Sequence, residues 1–248
     1  MAVLALLPDG LTWLAYAEMS AVVLIGACLQ GIGGIGFAMF SAPIAGLFFP
    51  AMVPGPLLVL GGAVSLLSAV REHRSIDWPM AWVTLAGRFF GAALAVAAIA
   101  VMSPQLLSIA FALMILVAVG MILAGWVLPP NRTNACGAGL VSGVMGTITS
   151  AGAPPFAILM QGMDPARFRA TIGCILGAGA AVSLLMLASV GKFGAAQLKL
   201  GLALLPWTLA GFLLSGTLGR RISSRAVRTT LLGMAAAGAA GILVKATL

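Results

Sequence analysis

The 248-residue sequence has very little charge: 7% of its residues are charged, against about a quarter in soluble domains. It holds five acidic residues and one histidine, and its three cysteines are isolated, without a CxxC pair. These shortages remove the carboxylate pairs, nucleophile–base sets and ligand clusters on which enzymes and metal sites depend. We therefore predict no enzymatic activity, no bound metal and no cofactor.

Apolar residues make up 62% of the sequence. Runs of about 20 apolar residues recur, the length that a helix needs to cross a hydrocarbon core of about 30 Å. The alternating pattern of a transmembrane barrel is absent from the sequence. The net charge of +8 lies mostly in short loops between apolar runs, which is typical of membrane topology and not of nucleic-acid binding. The sequence therefore predicts an all-α, multi-pass integral protein of the cell (inner) membrane, with the lipid bilayer as its surroundings.

Two short stretches occur twice, in the same order. AVSLL stands at 63–67 and again at 181–185, and TLAG stands at 84–87 and again at 208–211. The offsets are 118 and 124 residues, so the two pairs are nearly collinear. This pattern predicts an internal duplication. The predicted divisions are a first transmembrane repeat at 1–128, a polar linker at 129–134 and a second transmembrane repeat at 135–248.

Each predicted repeat begins with a segment that glycine and proline interrupt, and three apolar runs follow it. The first interrupted segment is QGIGGIGFAMFSAP at 30–43, and its counterpart is MGTITSAGAPP at 145–155. Irregular backbone at membrane depth is tolerated only where protein buries it or where it lines a wet cavity. Glycines there leave amide N–H groups free to meet an anion, although glycines also serve close helix packing. The matched positions favour a binding site.

The distribution of basic residues selects a topology. If all eight segments crossed, each side of the membrane would hold six basic residues, whereas the cytoplasmic side normally carries an excess. If each interrupted segment returns to the side it came from, Lys192, Lys199 and Lys245 lie outside. Nine arginines then lie on the cytoplasmic side: Arg71, Arg74, Arg132, Arg167, Arg169, Arg220, Arg221, Arg225 and Arg228. The second topology predicts two inverted repeats, each a re-entrant Gly-broken hairpin plus three transmembrane helices, with both termini outside the cytoplasm.

Arg88 lies within an apolar run, nine residues beyond Pro79. At a rise of about 1.5 Å per residue, this places Arg88 roughly 14 Å deep, near the membrane midplane. A cation at that depth costs at least about 2.5 kcal/mol, and a planar guanidinium suits a sulfonate or carboxylate. The alternative is that Arg88 snorkels to the cytoplasmic surface. Glu18 is a candidate for ion coupling.

The sequence resembles the TauE/SafE family of sulfite exporters, also called the toluene-sulfonate uptake permease family, over nearly its whole length. The stretches that carry the resemblance are GACLQGIGGIGFAMFSAP, SLLSAVREHRSIDW and GAGLVSGVMGTITSAGAPPFAILMQGMDPARFRATI. The resemblance implies a transporter of sulfite, sulfonates or related small organic anions that does not use ATP hydrolysis. The second turn of the family is usually richer in glycine, whereas Thr147, Thr149 and Ser150 supply hydroxyls here.

We expect a secondary transporter that holds its anion near the midplane, between the two interrupted segments. The predicted substrate-binding residues are Gln30, Gly33, Gly34, Arg88, Thr147, Thr149, Ser150 and Gly152. Ser65 and Ser183 are candidate cavity-lining residues, unless they bond back to their own helices. A passive channel for anions or small solutes is the alternative function, and a subunit that only anchors partners is a third. The sequence leaves open whether the chain forms a homo-oligomer.

Overall fold

The structure is a computed structural model that describes residues 11–125, 127–219 and 224–247, and over these residues the chain is helical without strands. The described α-helices are Trp13–Gly33 (α1), Phe37–Phe48 (α2), Gly55–Arg71 (α3), Trp78–Val101 (α4), Pro104–Leu123 (α5), Arg132–Thr149 (α6), Pro154–Leu159 (α7), Pro165–Ser189 (α8), Ala195–Leu218 (α9) and Ser224–Thr247 (α10). Short 3-10 turns occupy Pro50–Met52 and His73–Ser75. Arg220 and Arg221, which the topology prediction counted, lie outside the described residues.

Five of the described helices are long and apolar enough to cross a membrane, namely α1, α4, α5, α8 and α9. Shorter apolar helices accompany them, including α3 and the Leu231–Ala246 part of α10. The prediction of an all-α membrane protein is confirmed. At 21 residues, α1 is by itself long enough to cross a membrane.

Several helix starts follow local capping rules. Asp77, Ser103, Asn131 and Asp164 precede α4, α5, α6 and α8, and each side chain accepts a hydrogen bond from an amide in the first turn. Proline stands at the first or second position of α4, α5 and α8, where its missing N–H is not needed. Because α6 begins at Arg132, the predicted linker already contains the start of the second set of helices.

Both interrupted segments fold as two helices joined by a turn whose first residue is left-handed. Gly34 follows α1 with φ of 77°, and Ser150 follows α6 with φ of 63°. Ser150 is the only non-glycine residue among those described with a positive φ. Each of these amides closes its helix, Gly34 N–H on the Gln30 carbonyl at 2.7 Å and Ser150 N–H on the Gly146 carbonyl at 2.9 Å. The backbone therefore breaks in the same way at matched positions of the chain.

The helices of the two halves make equivalent contacts when α1–α5 are matched with α6–α10. In the first half α1 packs on α9, and the equivalent helix α6 packs on α4. Likewise α2 packs on α10, and the equivalent helix α7 packs on α5. The equivalent helices α3 and α8 pack on each other. Tyr16 lies against Ala203 and Gly31 against Ser215, so α1 and α9 run in the same direction. In contrast, Gly62 of α3 lies against Ala180 of α8, whereas Gly173, which comes earlier in α8, lies against residues that come later in α3 than Gly62. The helices α3 and α8 are therefore antiparallel.

Glycine determines how closely α4 and α6 approach each other. A methyl group added at Gly87, Gly91, Gly139 or Gly143 would collide with the backbone of the partner helix. Small residues allow this kind of backbone contact between membrane helices, where the hydrophobic effect contributes little to association. Through this contact α6 packs directly beside Arg88 of α4, and the contact determines the position at which the second turn begins.

Ion pairs join two loops at one end of the helices. Arg167 Nη2 lies 2.8 Å from Asp77 Oδ2, and Arg169 Nη2 lies 2.6 Å from Glu72 Oε1. Arg132 lies near the same Asp77, around a shared cavity. The loop before α4 and the start of α8 are therefore on the same side of the protein. An arrangement in which all eight segments cross would place these two loops on opposite sides.

The opposite end of the helices carries lysine. Lys192 and Lys245 lie near the 3-10 turn that begins at Pro50 and near the start of α5 at Pro104. At this end, Gln105 Nε2 donates to the Ala246 carbonyl at 2.9 Å, which joins α5 to α10. The two ends thus differ in the type of basic residue and in the number of ion pairs that the structure describes.

Candidate functional site

The two interrupted segments meet at a small cavity inside the protein. Its volume is about 30 Å³, enough for roughly one or two water molecules. The first turn contributes Gln30, Gly36 and Phe37, the second turn contributes residues 150–153, and parts of α3 and α8 form the remaining walls. Most of the lining is apolar, so the few polar groups determine what can bind there. We call this space the central cavity.

Gln30 connects three elements around the central cavity. Its side chain is 5% exposed, Nε2 donates to Ser65 Oγ at 2.9 Å, and Oε1 accepts from the Phe37 amide at 3.3 Å. The second Nε2 hydrogen makes no hydrogen bond within the described part of the chain. Ser65 does not bond back to its own helix there, so its hydroxyl hydrogen is also free to donate.

The start of α2 adds backbone donors to the same cavity. Ala38 and Met39 line the central cavity at the second and third positions of the helix. Amides in the first turn of a helix have no intrahelical partner. The Phe37 amide is satisfied by Gln30 and the Phe40 amide by the Gly36 carbonyl, which leaves the amides of Ala38 and Met39 without a partner among the described residues.

Thr147 and Ser183 form the corresponding pair in the second half. Their hydroxyl oxygens are 2.8 Å apart, and both residues are buried. Gln30 and Thr147 are 117 positions apart, and Ser65 and Ser183 are 118 apart, so the two pairs are equivalent. The structure brings Thr147 and Ser183 together behind the second turn, but neither residue lines the central cavity.

The remaining residues of the second turn are held by hydrogen bonds. Thr149 Oγ1 donates to the Met145 carbonyl at 2.7 Å and accepts from the Ala151 amide at 3.1 Å. Ser150 lines the central cavity, and its Oγ donates to the Pro54 carbonyl at 3.0 Å. The hydrogen bond between Ser150 and Pro54 connects the second turn to the residue that precedes α3.

Arg88 is buried beside the second turn, outside the lining of the central cavity, with 2% of its surface exposed. Nη1 donates to the Ser142 carbonyl at 3.4 Å and to the Ser142 hydroxyl. Its Nε is the only buried side-chain nitrogen or oxygen in the described part of the chain without a hydrogen-bond partner. This burial excludes the snorkelling alternative. Arg88 does not line the central cavity, so its predicted contact with an anion stays a prediction.

Three predicted site residues lie elsewhere. Gly33 is exposed and lines a separate, mostly apolar cavity of about 400 Å³. Gly34 is buried and packs against the side chains of Phe168 and Arg169. Glu18 is exposed on α1 and does not line the central cavity. The structure therefore brings Gln30, Ser65, Ser150 and Gly152 together and leaves these three apart.

Sequence reasoning missed Ser142, Ala153 and the amides at the start of α2. Ser142 Oγ donates to the Gly152 carbonyl at 2.5 Å, which makes Ser142 the link between Arg88 and the second turn. Nothing local in GLVSGVMG distinguishes this serine from one that bonds to its own helix. The GlyGly pair at 61–62, which lines the central cavity ahead of AVSLL, was a signal that could have been used.

Comparison with known proteins gives one positive result. A family model described as "Sulfite exporter TauE/SafE" matches residues 19–242, which include every residue around the central cavity. No curated protein and no solved structure gives a significant match.

Proposed function

The chain belongs to the TauE/SafE family of sulfite exporters, and from this premise we propose that it is a secondary transporter of sulfite, sulfonates or related small organosulfur anions in the cell (inner) membrane. The family is a membrane transporter family and not an enzyme family. The passive channel, our alternative from the sequence, is not favoured by this membership.

We place the anion in the central cavity. The observation that carries this assignment is that four residues with unused donors, within the described part of the chain, line this cavity: Gln30 with its second Nε2 hydrogen, Ser65 with its hydroxyl, and Ala38 and Met39 with their amides. Preorganised donors in a water-poor site can replace the hydration shell of an anion. Arg88 supplies positive charge from behind the second turn, since it is the only charged residue among the buried ones described.

The inverted-repeat arrangement that we propose is supported by the opposite orientation of the two turns. Gly34 in the first turn packs against Arg169, at the end where the arginine ion pairs lie. Ser150 in the second turn bonds to Pro54, toward the end that carries Lys192. Each interrupted segment thus leaves one side and returns to it, and the two turns approach the anion from opposite sides.

Transport requires the central cavity to widen, because its present volume is too small for a multi-atom anion. Two larger cavities lie beyond it. One of about 400 Å³ is lined by Met39, which also lines the central cavity, and one of about 330 Å³ is lined by Pro54, the partner of Ser150. We propose that these spaces are the two access routes, which open alternately as α2, α5, α7 and α10 move against the other helices.

Counterflow in proteoliposomes tests the function. Vesicles containing the purified protein are loaded with unlabelled sulfite, and the uptake of labelled sulfite is followed. A transporter gives transient accumulation above the external concentration that saturates with substrate. Uptake that only equilibrates, without saturation or overshoot, would support a channel instead. Vesicles without protein provide the control for leakage.

A further inference from the structure

We propose that Arg88 is a positioning residue: through Ser142 it fixes the Gly152–Ala153 peptide so that the Ala153 amide faces the central cavity. This inference rests on the proposed function, because it assigns Ala153 N–H as the anion donor of the second turn. If Arg88 contacted the anion directly, its guanidinium would be the donor and Ser142→Ala would leave binding intact. In the role proposed here, the donor is Ala153 N–H and Ser142→Ala should weaken binding.

The directions of the hydrogen bonds follow from the chemistry of serine. A hydroxyl has one hydrogen to donate, and Ser142 Oγ gives it to the Gly152 carbonyl at 2.5 Å. The same oxygen accepts from Arg88 Nη1, which also donates to the Ser142 carbonyl at 3.4 Å. The chain of donors therefore runs in one direction, from Arg88 through Ser142 to the Gly152 carbonyl.

The orientation of the next amide follows from the planarity of the peptide bond. In a trans peptide, the C=O and the following N–H point in opposite directions. Because the Gly152 carbonyl faces Ser142, the Ala153 N–H turns away from Ser142, and Gly152 and Ala153 both line the central cavity. This amide has no partner within the described residues. The next two residues, Pro154 and Pro155, have no N–H to offer.

The surroundings of the guanidinium fit this role. A methyl group added at Gly146 would lie 2.8 Å from Arg88 Nη2, and one added at Gly152 would lie 2.7 Å from Nη1. A methyl group at Gly179 on α8 would collide with Nε and Cδ of the same side chain. Glycine thus leaves space for the planar group in α6, in the second turn and in α8. In this dry setting, a charged donor also polarises the hydrogen bond that follows it.

Binding of sulfite to purified protein in nanodiscs tests the inference. The variants are Ser142→Ala, Arg88→Gln, Arg88→Lys and the double variant Arg88→Gln with Ser142→Ala. We expect Ser142→Ala and Arg88→Gln each to weaken binding about 10-fold, and the double variant to be no weaker than Arg88→Gln alone. Lys at position 88 retains a donor for Ser142 and should recover part of the affinity. Ser68→Ala is the matched control, because Ser68 is buried and, within the described part of the chain, its side chain bonds only to the Val64 carbonyl of its own helix.

Hydrogen exchange of the second turn, measured without any anion, gives an independent readout. Peptides that cover residues 150–157 should exchange faster in Ser142→Ala and Arg88→Gln than in wild type, and those of α3 should not change. Sulfite affinity within twofold of wild type in Ser142→Ala, with a large loss in Arg88→Gln, would overturn the inference in favour of direct contact. If wild type binds no sulfite, the proposed function fails, and hydrogen exchange still decides whether Arg88 holds the turn. Should Arg88→Gln not fold, the Ser142→Ala exchange and binding data decide alone.

Discussion

Gln30 donates its side-chain amide to the hydroxyl of Ser65 across 2.9 Å, which joins the end of α1 to α3. Ser65 is the central residue of the first AVSLL, and the central serine of the second, Ser183, pairs with Thr147 at the end of α6. The duplicated stretch therefore marks the point where α1 is attached to α3 and where α6 is attached to α8. Only the first of these two pairs has a member with a free donor at the central cavity.

The first prediction separates binding from stability in these two pairs. Gln30→Ala should weaken sulfite binding about 10-fold, because it removes a buried donor of the proposed anion site. Thr147→Val should lower the free energy of unfolding by about 1–3 kcal/mol, because it leaves the Ser183 hydroxyl unpaired, but should leave binding within twofold of wild type. Equilibrium binding and chemical denaturation of both variants provide the measurements. The reverse pattern would contradict the placement of the anion in the central cavity, which Gln30 lines and Thr147 does not.

Much of the fold could be predicted from local signals. Asp77, Asn131 and Asp164 cap helices as their position before apolar runs suggests, and glycine marks the interruption after Gly33. The two AVSLL stretches indicated which parts of the chain are equivalent. These features act within a few residues, so periodicity and composition are enough to find them.

The detailed site could not be predicted, because it depends on how helices face each other. Gly33 and Gly34 are neighbours in the sequence, yet Gly33 is exposed and Gly34 is buried, since Gly33 is the last residue of α1 and the left-handed Gly34 turns the chain inward. Thr147 was predicted to bind the anion and stays a prediction, and its hydrogen bond with Ser183 depends on the packing of α6 on α8. The link between Arg88 and Ser142 spans 54 residues and leaves no local pattern.

The second prediction concerns topology. Single cysteines at Arg74 and Gly162, in a variant whose native cysteines are replaced by alanine, should both be labelled from the cytoplasmic side. A cysteine at Lys192 should be labelled only from the opposite side. All three positions are exposed, so reagent access is not limited by packing. Labelling in intact cells with a membrane-impermeant maleimide, compared with inverted vesicles, gives the answer. Opposite sides for Arg74 and Gly162 would exclude the inverted repeats.

The third prediction compares the two ion pairs. Arg169→Gln should lower the free energy of unfolding by about 1 kcal/mol, because Arg169 bonds to both carboxylate oxygens of Glu72 and its side chain is only 24% exposed. Arg167→Gln should change it by less than about 0.5 kcal/mol, since that side chain is 55% exposed. Denaturant titrations at low and high salt measure both. Equal losses for the two variants would show that burial of the pair is not the deciding factor.

The last prediction tests the glycine lining of the Arg88 site without removing any charge. A methyl group at Gly146 would lie 2.8 Å from Arg88 Nη2 and 3.4 Å from Cζ, so Gly146→Ala must displace the guanidinium from Ser142. We therefore expect about 10-fold weaker sulfite binding and faster exchange of the second turn, as in Ser142→Ala. Gly137→Ala is the control on the same helix, where an added methyl meets none of the described residues within 4 Å. Because alanine favours helix by about 1 kcal/mol over glycine, that variant should be as stable as wild type or more so and should bind normally. If Gly146→Ala also binds normally while it remains folded, the position of the guanidinium is irrelevant to the anion, and Arg88 serves only to fill the space between α4, α6 and α8.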